Sequence, residues 1–292
     1  MKKICLVAPG LLPVPATQGG AIETLMTSLI EENEKHHLID LTVVAPHDDR
    51  SRTQADAFRH TRFIMIPSAS PLIKAKHRLM NAIVRRVSTS TRRSPSAFYD
   101  QVLHAIRHED FVVMYCGRIM REKGILELLQ AIEMINDPHV KLMIIGSSNF
   151  GPSERTPYVD KVTALADRLG ERVAYTGYVP NDRLYRYSKI ADMQVVPSVW
   201  EEAAGLVGVE AMAAGFPLVV TCSGGIQEYV SSDCAITVDR DDHLISGLDQ
   251  AITDLLNDPD KRASLSDAGA QRAPLFDTKS MYHRFVEACE RQ

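Results

Sequence analysis

Pro197-Ser198-Val199-Trp200-Glu201-Glu202-Ala203-Ala204-Gly205-Leu206-Val207-Gly208-Val209-Glu210-Ala211-Met212-Ala213-Ala214-Gly215-Phe216-Pro217 is the stretch on which the fold turns. It follows an apolar, strand-like run at 193–196 and opens into a helix pattern over 206–214. Gly205 stands at the helix start, Gly215 and Pro217 at its end. A glycine there lets backbone N–H groups close on an anion, and the helix dipole favours negative charge at that end. Two carboxylates bracket this point, Glu202 on the loop and Glu210 about one and a half turns inside the helix. Carboxylates repel an anion, so they serve the hydroxyl-bearing groups on either side of it. An anion flanked by hydroxylated groups describes a sugar nucleotide: ribose, diphosphate, sugar.

The same alternation extends in both directions. Residues 4–8 predict a buried parallel strand, 21–35 a helix, and 41–45 and 63–66 two further strands. A basic amphipathic segment covers 72–87, a polar and basic linker 88–96, and a short helix 98–107. The rhythm then restarts with strands at 111–116, 141–145, 173–176 and 193–196. Helices are expected between them at 125–135, 158–169 and 182–189. Beyond the motif helix come strands at 217–221 and 235–238, a helix at 241–256 and a last helix at 279–290. Alternating strands and helices mean an α/β fold with parallel sheets, whose ligands bind at the carboxyl ends of the strands.

The 292 residues suffice for two compact domains, and 45% hydrophobic with 24% charged residues is the composition of a globular chain. A net charge of −4 gives no reason to expect nucleic acid as a partner. The five cysteines are scattered, three of them in strand-like runs where a buried, reduced thiol is expected. No Cys-x-x-Cys pair or Cys/His cluster asks for a metal. The apolar run near the N-terminus stops at Pro9-Gly10, too short for a signal peptide or a membrane span, so a cytoplasmic protein is expected. Gly-x-Gly-x-x-Gly is absent after the first strand, which argues against a dinucleotide-dependent oxidoreductase.

Residues 197–217 resemble the Glu-x7-Glu motif of retaining glycosyltransferases with the GT-B fold, glycosyltransferase family 4. Cys116-Gly117-Arg118-Ile119-Met120-Arg121-Glu122-Lys123-Gly124 resembles the family's Gly-Arg…Glu-Lys-Gly segment, and Gly224-Gly225-Ile226-Gln227-Glu228 its Gly-Gly-x-x-Glu strand end. Leu12-Pro13-Val14-Pro15 and Gly19-Gly20-Ala21-Ile22-Glu23 are similar to its first strand–loop–helix. The resemblance is dense from about residue 110 to 275, fair over 1–66 and poor over 67–109.

It implies two Rossmann-like domains. An N-terminal one at 1–97 is followed by a nucleotide-sugar-binding one at 98–276, and helix 277–292 returns to the first. The first is incomplete, about two or three βα steps short at about 30 residues per unit. The missing part is where the family carries a donor-facing histidine; His47 is the nearest positional substitute. The implied activity is transfer of a hexose from a nucleotide-diphosphate sugar, commonly a UDP-sugar, to a glycan or lipid-linked acceptor. Neither a metal nor a bound cofactor is implied, because cationic side chains meet the diphosphate.

Arg118 and Lys123, cations where a helix dipole disfavours them, would stabilise the leaving diphosphate. Gly117 lies in the same turn, and Gly205, Leu206 and Val207 would offer N–H groups. Glu210 would hold the ribose diol, and Glu202 would stand against the sugar near its anomeric carbon. Adjacent Glu201 competes for that role but lacks the offset. Gly19 and Gly20 would approach the donor phosphate or the reacting sugar, and Tyr178 and Val179 would frame the base. Ala204 replaces the family's usual aromatic residue.

Segment 72–93 carries seven Lys/Arg and no acid, with apolar residues at helical spacing. That pattern suits the anionic inner face of a membrane, and equally a domain helix with a solvated basic face or one left uncovered by the missing sheet. An incomplete sheet also leaves surface for self-association or a partner chain. The rival to a transferase is a non-catalytic nucleotide-sugar-binding paralogue acting as a regulatory subunit.

Overall fold

The structure, a computed structural model, describes residues 1–9, 12–18, 20–67, 106–107, 109–148 and 156–291. Gly19, the basic segment 72–93, the linker and nearly all of the short helix expected over 98–107 lie outside the described residues. The chain divides into two compact units. One comprises Met1–Arg92 with Leu275–Gln292, the other Arg93–Pro274.

The first unit opens with β1 (Lys2–Val7), α1 (Ala21–His36), β2 (Ile39–His47), α2 (Asp49–Ala55) and β3 (Thr61–Pro67). The strands pair in parallel in the order β1-β2-β3, with Cys5 opposite Thr42 and Val44 opposite Ile64. Ile4, Leu6, Leu41, Val43 and Phe63 point into a core shared with Leu29 and Ile30 of α1. Val7, Ile64 and Ile66 on the opposite face are exposed, as is Cys5. The strand expected at 4–8 therefore begins earlier and is buried on one face only. Cys5 is correspondingly not the buried thiol expected of a strand cysteine. α2 has no apolar stripe to announce it. Asp48 fixes its start by a reciprocal capping box: its carboxylate accepts from Ser51 N at 2.7 Å, and Asp48 N donates to Ser51 Oγ at 2.9 Å.

The second unit runs β4 (Phe111–Cys116), α3 (Ile125–Met134), β5 (Val140–Ile145), α4 (Pro157–Leu169), β6 (Val173–Gly177), α5 (Tyr185–Ser188), β7 (Met193–Val196), α6 (Leu206–Ala213), β8 (Leu218–Thr221), α7 (Ile226–Tyr229), β9 (Ala235–Val238), α8 (Leu244–Asn257) and α9 (Pro259–Arg272). Its six parallel strands lie in the order β6-β5-β4-β7-β8-β9. Five consecutive residues of β4 are buried, so both faces of the sheet are covered, as a continuous apolar run requires. Two expectations need correction. The helix expected at 182–189 is a 3₁₀ turn, Asn181–Arg183, followed by the single-turn α5. α9 was not expected, because only Leu265 and Gly269 of its length are buried.

The order of the strands positions the site. From β4 the chain builds outward through β5 to β6, then returns to lay β7 on the other side of β4, Val113 beside Met193. That reversal leaves a crevice at the carboxyl ends of β4 and β7, where neighbouring loops leave in opposite directions.

The last helix, α10 (Thr278–Glu290), packs on α1 of the first unit. Tyr282 is fully buried in that unit's core with Val286. Its hydroxyl donates to Asn33 Oδ1 at 2.6 Å and accepts from Leu38 N at 3.1 Å.

Candidate functional site

Two loops meet at the crevice. The loop after β4 runs Gly117–Met120, makes a 3₁₀ turn at Arg121–Lys123 and enters α3 through Gly124. Its base is tied to β5, with Gly117 N donating to Ile145 O at 3.0 Å and Ile119 N to Ser147 O at 2.9 Å. The loop after β7 spans 197–205. Val199 N donates to Glu122 O at 3.0 Å, stitching the two together. Gly124 is required at the seam: φ is +65°, and a Cβ would stand 1.8 Å from the Pro197 carbonyl oxygen. A third loop, after β8, backs the second. Thr221 Oγ1 donates to Ser198 O and Ser223 Oγ to Trp200 O, both at 2.6 Å, and Gly225 N donates to Glu202 O at 2.7 Å. The Gly224-Gly225 pair thus holds the backbone of Glu202.

Glu202 is 8% exposed. Its Oε1 accepts from Lys123 Nζ at 2.5 Å and from the hydroxyl of Ser198, itself 1% exposed. Glu201 points elsewhere. It pairs with Arg240 and accepts from Gly224 N at 2.7 Å, with its side chain 69% exposed. The Arg240 guanidinium, then the Gly224 N–H, hold its carboxyl below the usual range. Glu201 is a strut between loops, whereas the Glu202 carboxylate is turned to Lys123 and Ser198.

α6 starts at Leu206 behind Gly205, and no side chain caps it. Such a start leaves N–H groups of the first turn, those of Leu206 and Val207 among them, without an intrahelical partner. One turn on, Glu210 joins Val207, Cys116, Asn181, Leu184 and Tyr185 around a cavity of about 250 Å³. Glu210 is open to water through this cavity, yet the protein around it displaces enough solvent to push its carboxyl above the ordinary carboxylate range. Burial, and then the charge of Glu210, push the Cys116 thiol up to about 12.

The expected residues do not all gather here. Arg118 is exposed in the first loop, its carbonyl accepting from Tyr115 Oη at 2.7 Å. Tyr178 is 47% exposed and Val179 is buried, and neither lines the cavity beside Glu210. Asn181, Leu184 and Tyr185 form that wall instead. The 3₁₀ turn brings them in, and the continuous helix expected over 182–189 concealed it. In the first unit, Gly20 starts α1 with φ +102°, and a Cβ there would stand 2.2 Å from Glu23 Oε2. Glu23 is 5% exposed. A carboxylate over this helix start answers the dipole itself. His47 Nδ1 lies 2.9 Å from Ile66 O and Nε2 2.8 Å from Arg52 Nη2, which spends both nitrogens within the unit. No group of three or more metal-ligating side chains occurs among the described residues, and no described helix is long and apolar enough to cross a membrane.

This chain is similar to known proteins in sequence and in fold. Lipopolysaccharide 1,2-N-acetylglucosaminetransferase of Salmonella typhimurium is 36% identical over 142 residues, 48% of this chain and 37% of that protein. Spore coat protein SA of Bacillus subtilis is 31% identical over 160 residues, 54% of this chain and 42% of that protein. The chain therefore spans well under two thirds of either relative. The crystal structure of Anabaena HepE in complex with UDP and glucose superposes with a TM-score of 0.68 at 16% identity, covering 100% of both chains. That likeness shows the fold, the GT-B type of α/β glycosyltransferases. The family described as glycosyl transferases group 1 matches residues 100–272, more than half of the chain. On that match, the chain belongs to the glycosyl transferases group 1 family.

Proposed function

We propose that this chain is a retaining glycosyltransferase of family 4 that moves a hexose from a nucleoside-diphosphate sugar to a glycan or lipid-linked acceptor. The observation that carries it is one arrangement: the Lys123–Glu202 ion pair lies in the two stitched loops ahead of an uncapped helix, and Glu210 lines a cavity one turn along that helix. The diphosphate would lie at the start of α6, against the N–H groups of Leu206 and Val207, with Lys123 and Arg118 beside it. Glu210 would take the ribose diol, its two oxygens accepting from two hydroxyls. Glu202 would face the sugar, where a carboxylate favours the positive charge that develops as the glycosidic bond breaks. The acceptor hydroxyl would attack the face that the diphosphate leaves, its proton passing to a phosphate oxygen. The chain's own cations and N–H groups supply the charge stabilisation.

UDP-sugars are the first donors to test, since the Anabaena protein was crystallised with UDP and glucose. We also propose peripheral attachment to the inner face of a membrane through the basic segment 72–93. Self-association would run through the first unit, for which the exposed Val7, Ile64 and Ile66 speak.

A second reading, a donor-binding paralogue with little transfer, is favoured by His47, whose ring nitrogens are both engaged. It fits a first unit shortened by about two or three βα steps. A turnover assay on purified protein separates the two. Donor binding with transfer to a glycan or lipid acceptor supports the enzyme. Binding without transfer or slow donor hydrolysis supports the paralogue, and no binding of any nucleotide sugar refutes both.

A further inference from the structure

Resting on the donor-site reading above, we propose that Glu202 neutralises Lys123 and thereby sets how tightly the departing nucleoside diphosphate is held. The contact is built into the fold. Lys123 Nζ stands 2.5 Å from Glu202 Oε1, and the two side chains are 23% and 8% exposed. Ser198 donates to the same oxygen from a buried position, and Thr221 fixes Ser198 by its carbonyl. The backbone of Glu202 is held at both ends, its N–H on Ser223 Oγ at 3.3 Å and its carbonyl by Gly225 N at 2.7 Å. With that backbone fixed, the carboxylate swings clear of the ammonium only by giving up the Ser198 hydroxyl.

An ammonium in contact with a carboxylate presents an approaching phosphate with almost no net charge, whereas an unopposed one would attract it. A site selected only for grip on the diphosphate would leave Lys123 unopposed. A transferase must release the nucleoside diphosphate at every turnover, and release limits many enzymes. Grip that is equal before and after reaction adds nothing once the donor is saturating. Glu202 therefore lowers affinity for the product while it serves the sugar.

Glu201 supplies the control. It carries the same charge one residue away, but its carboxylate is on Arg240 and Gly224 N. The experiment is calorimetry on the full chain with uridine, guanosine and adenosine diphosphates, which bind without turnover. Glu202→Gln keeps a carbonyl oxygen for Lys123 and Ser198 and removes only the charge. It should bind the preferred diphosphate about tenfold more tightly, with a slower dissociation rate of a fluorescent analogue, and Glu201→Gln should stay within about twofold of wild type. Unchanged or weaker binding by Glu202→Gln overturns the proposal, and so does equal tightening by Glu201→Gln. Where melting curves show that the amide does not fold, Glu202→Ala makes the same test. Wild type that binds none of the three diphosphates overturns the donor-site reading itself and the proposal with it. Wild-type binding with no gain in the variants overturns the proposal alone.

Discussion

At the scale of the residue, charge and its partners decide what the site does. Arg118→Ala is expected to weaken nucleoside-diphosphate binding by about 1.5–3 kcal/mol, the range for hydrogen bonds to charged groups. Lys123→Ala should cost at least as much, because it also leaves the Glu202 carboxylate buried beside the phosphate with only Ser198 to meet it. Calorimetry checks both, and unchanged affinity in the two variants would remove them from the site. Glu210→Gln should bind nucleotide more weakly, since an amide cannot accept from both ribose hydroxyls. Its effect on the empty protein runs the other way. A carboxyl raised by desolvation binds its proton more readily folded than unfolded, so it weakens the fold as pH rises through its raised value. The glutamine variant should therefore melt at the same or a higher temperature at pH 7, with the gap closing as the solution is acidified below the usual carboxylate range. A large fall in melting temperature with affinity intact would make Glu210 a structural residue.

At the scale of the element, caps and seams carry the predictions. Burial alone would raise the Asp48 carboxyl. Its hydrogen bonds from Gln18, Ser51 and Thr17 outweigh that and hold it at about 2. A depressed acid stabilises the fold above its unfolded pKa and loses that contribution as pH falls through the folded one. Asp48→Ala should thus cost about 1–2 kcal/mol at neutral pH. It should also flatten the acid side of the stability curve from about pH 4 downward. Melting curves across that window decide it; an unaltered acid limb would show the cap contributes nothing. The same scale shows what the sequence could and could not tell. β4 was legible to the residue because an unbroken apolar run ends at Gly117, and the motif helix was legible because Gly205 and Gly215 bracket it. α9 was not, because it touches the core through Leu265 and Gly269 alone; the surviving signal was Asp258 capping at Lys261 N with Pro259 in the first turn. α2 likewise rests on its cap rather than on an apolar face. Sequence spacing singled out Glu202, Lys123 and Glu210 as candidates. It could not show that Lys123 is bonded to Glu202, nor that Asn181, Leu184 and Tyr185 line the cavity, because those juxtapositions come from strand order and a broken helix.

At the scale of the whole molecule, one compact unit is continuous and the other is not. The first unit takes its core from both ends of the sequence, with Tyr282 and Val286 of α10 set among residues of α1 and β2. Removing residues 275–292 should leave the second unit folded and open the first. Limited proteolysis with mass spectrometry should then show cuts within 1–67 while 109–274 stays protected. Equal protection of both units would mean that α10 is dispensable. The milder Tyr282→Phe strands Asn33 Oδ1 and Leu38 N and should cost about 1–3 kcal/mol. This split core also has a consequence during synthesis. Domains ordinarily fold in the order in which they leave the ribosome, the N-terminal one first. Here the strands made first must wait for a helix translated after all of the second unit. That unit can complete its sheet while the first still has Leu29, Ile30 and Leu41 uncovered. The nascent chain therefore carries an unfinished N-terminal core until α10 has been made.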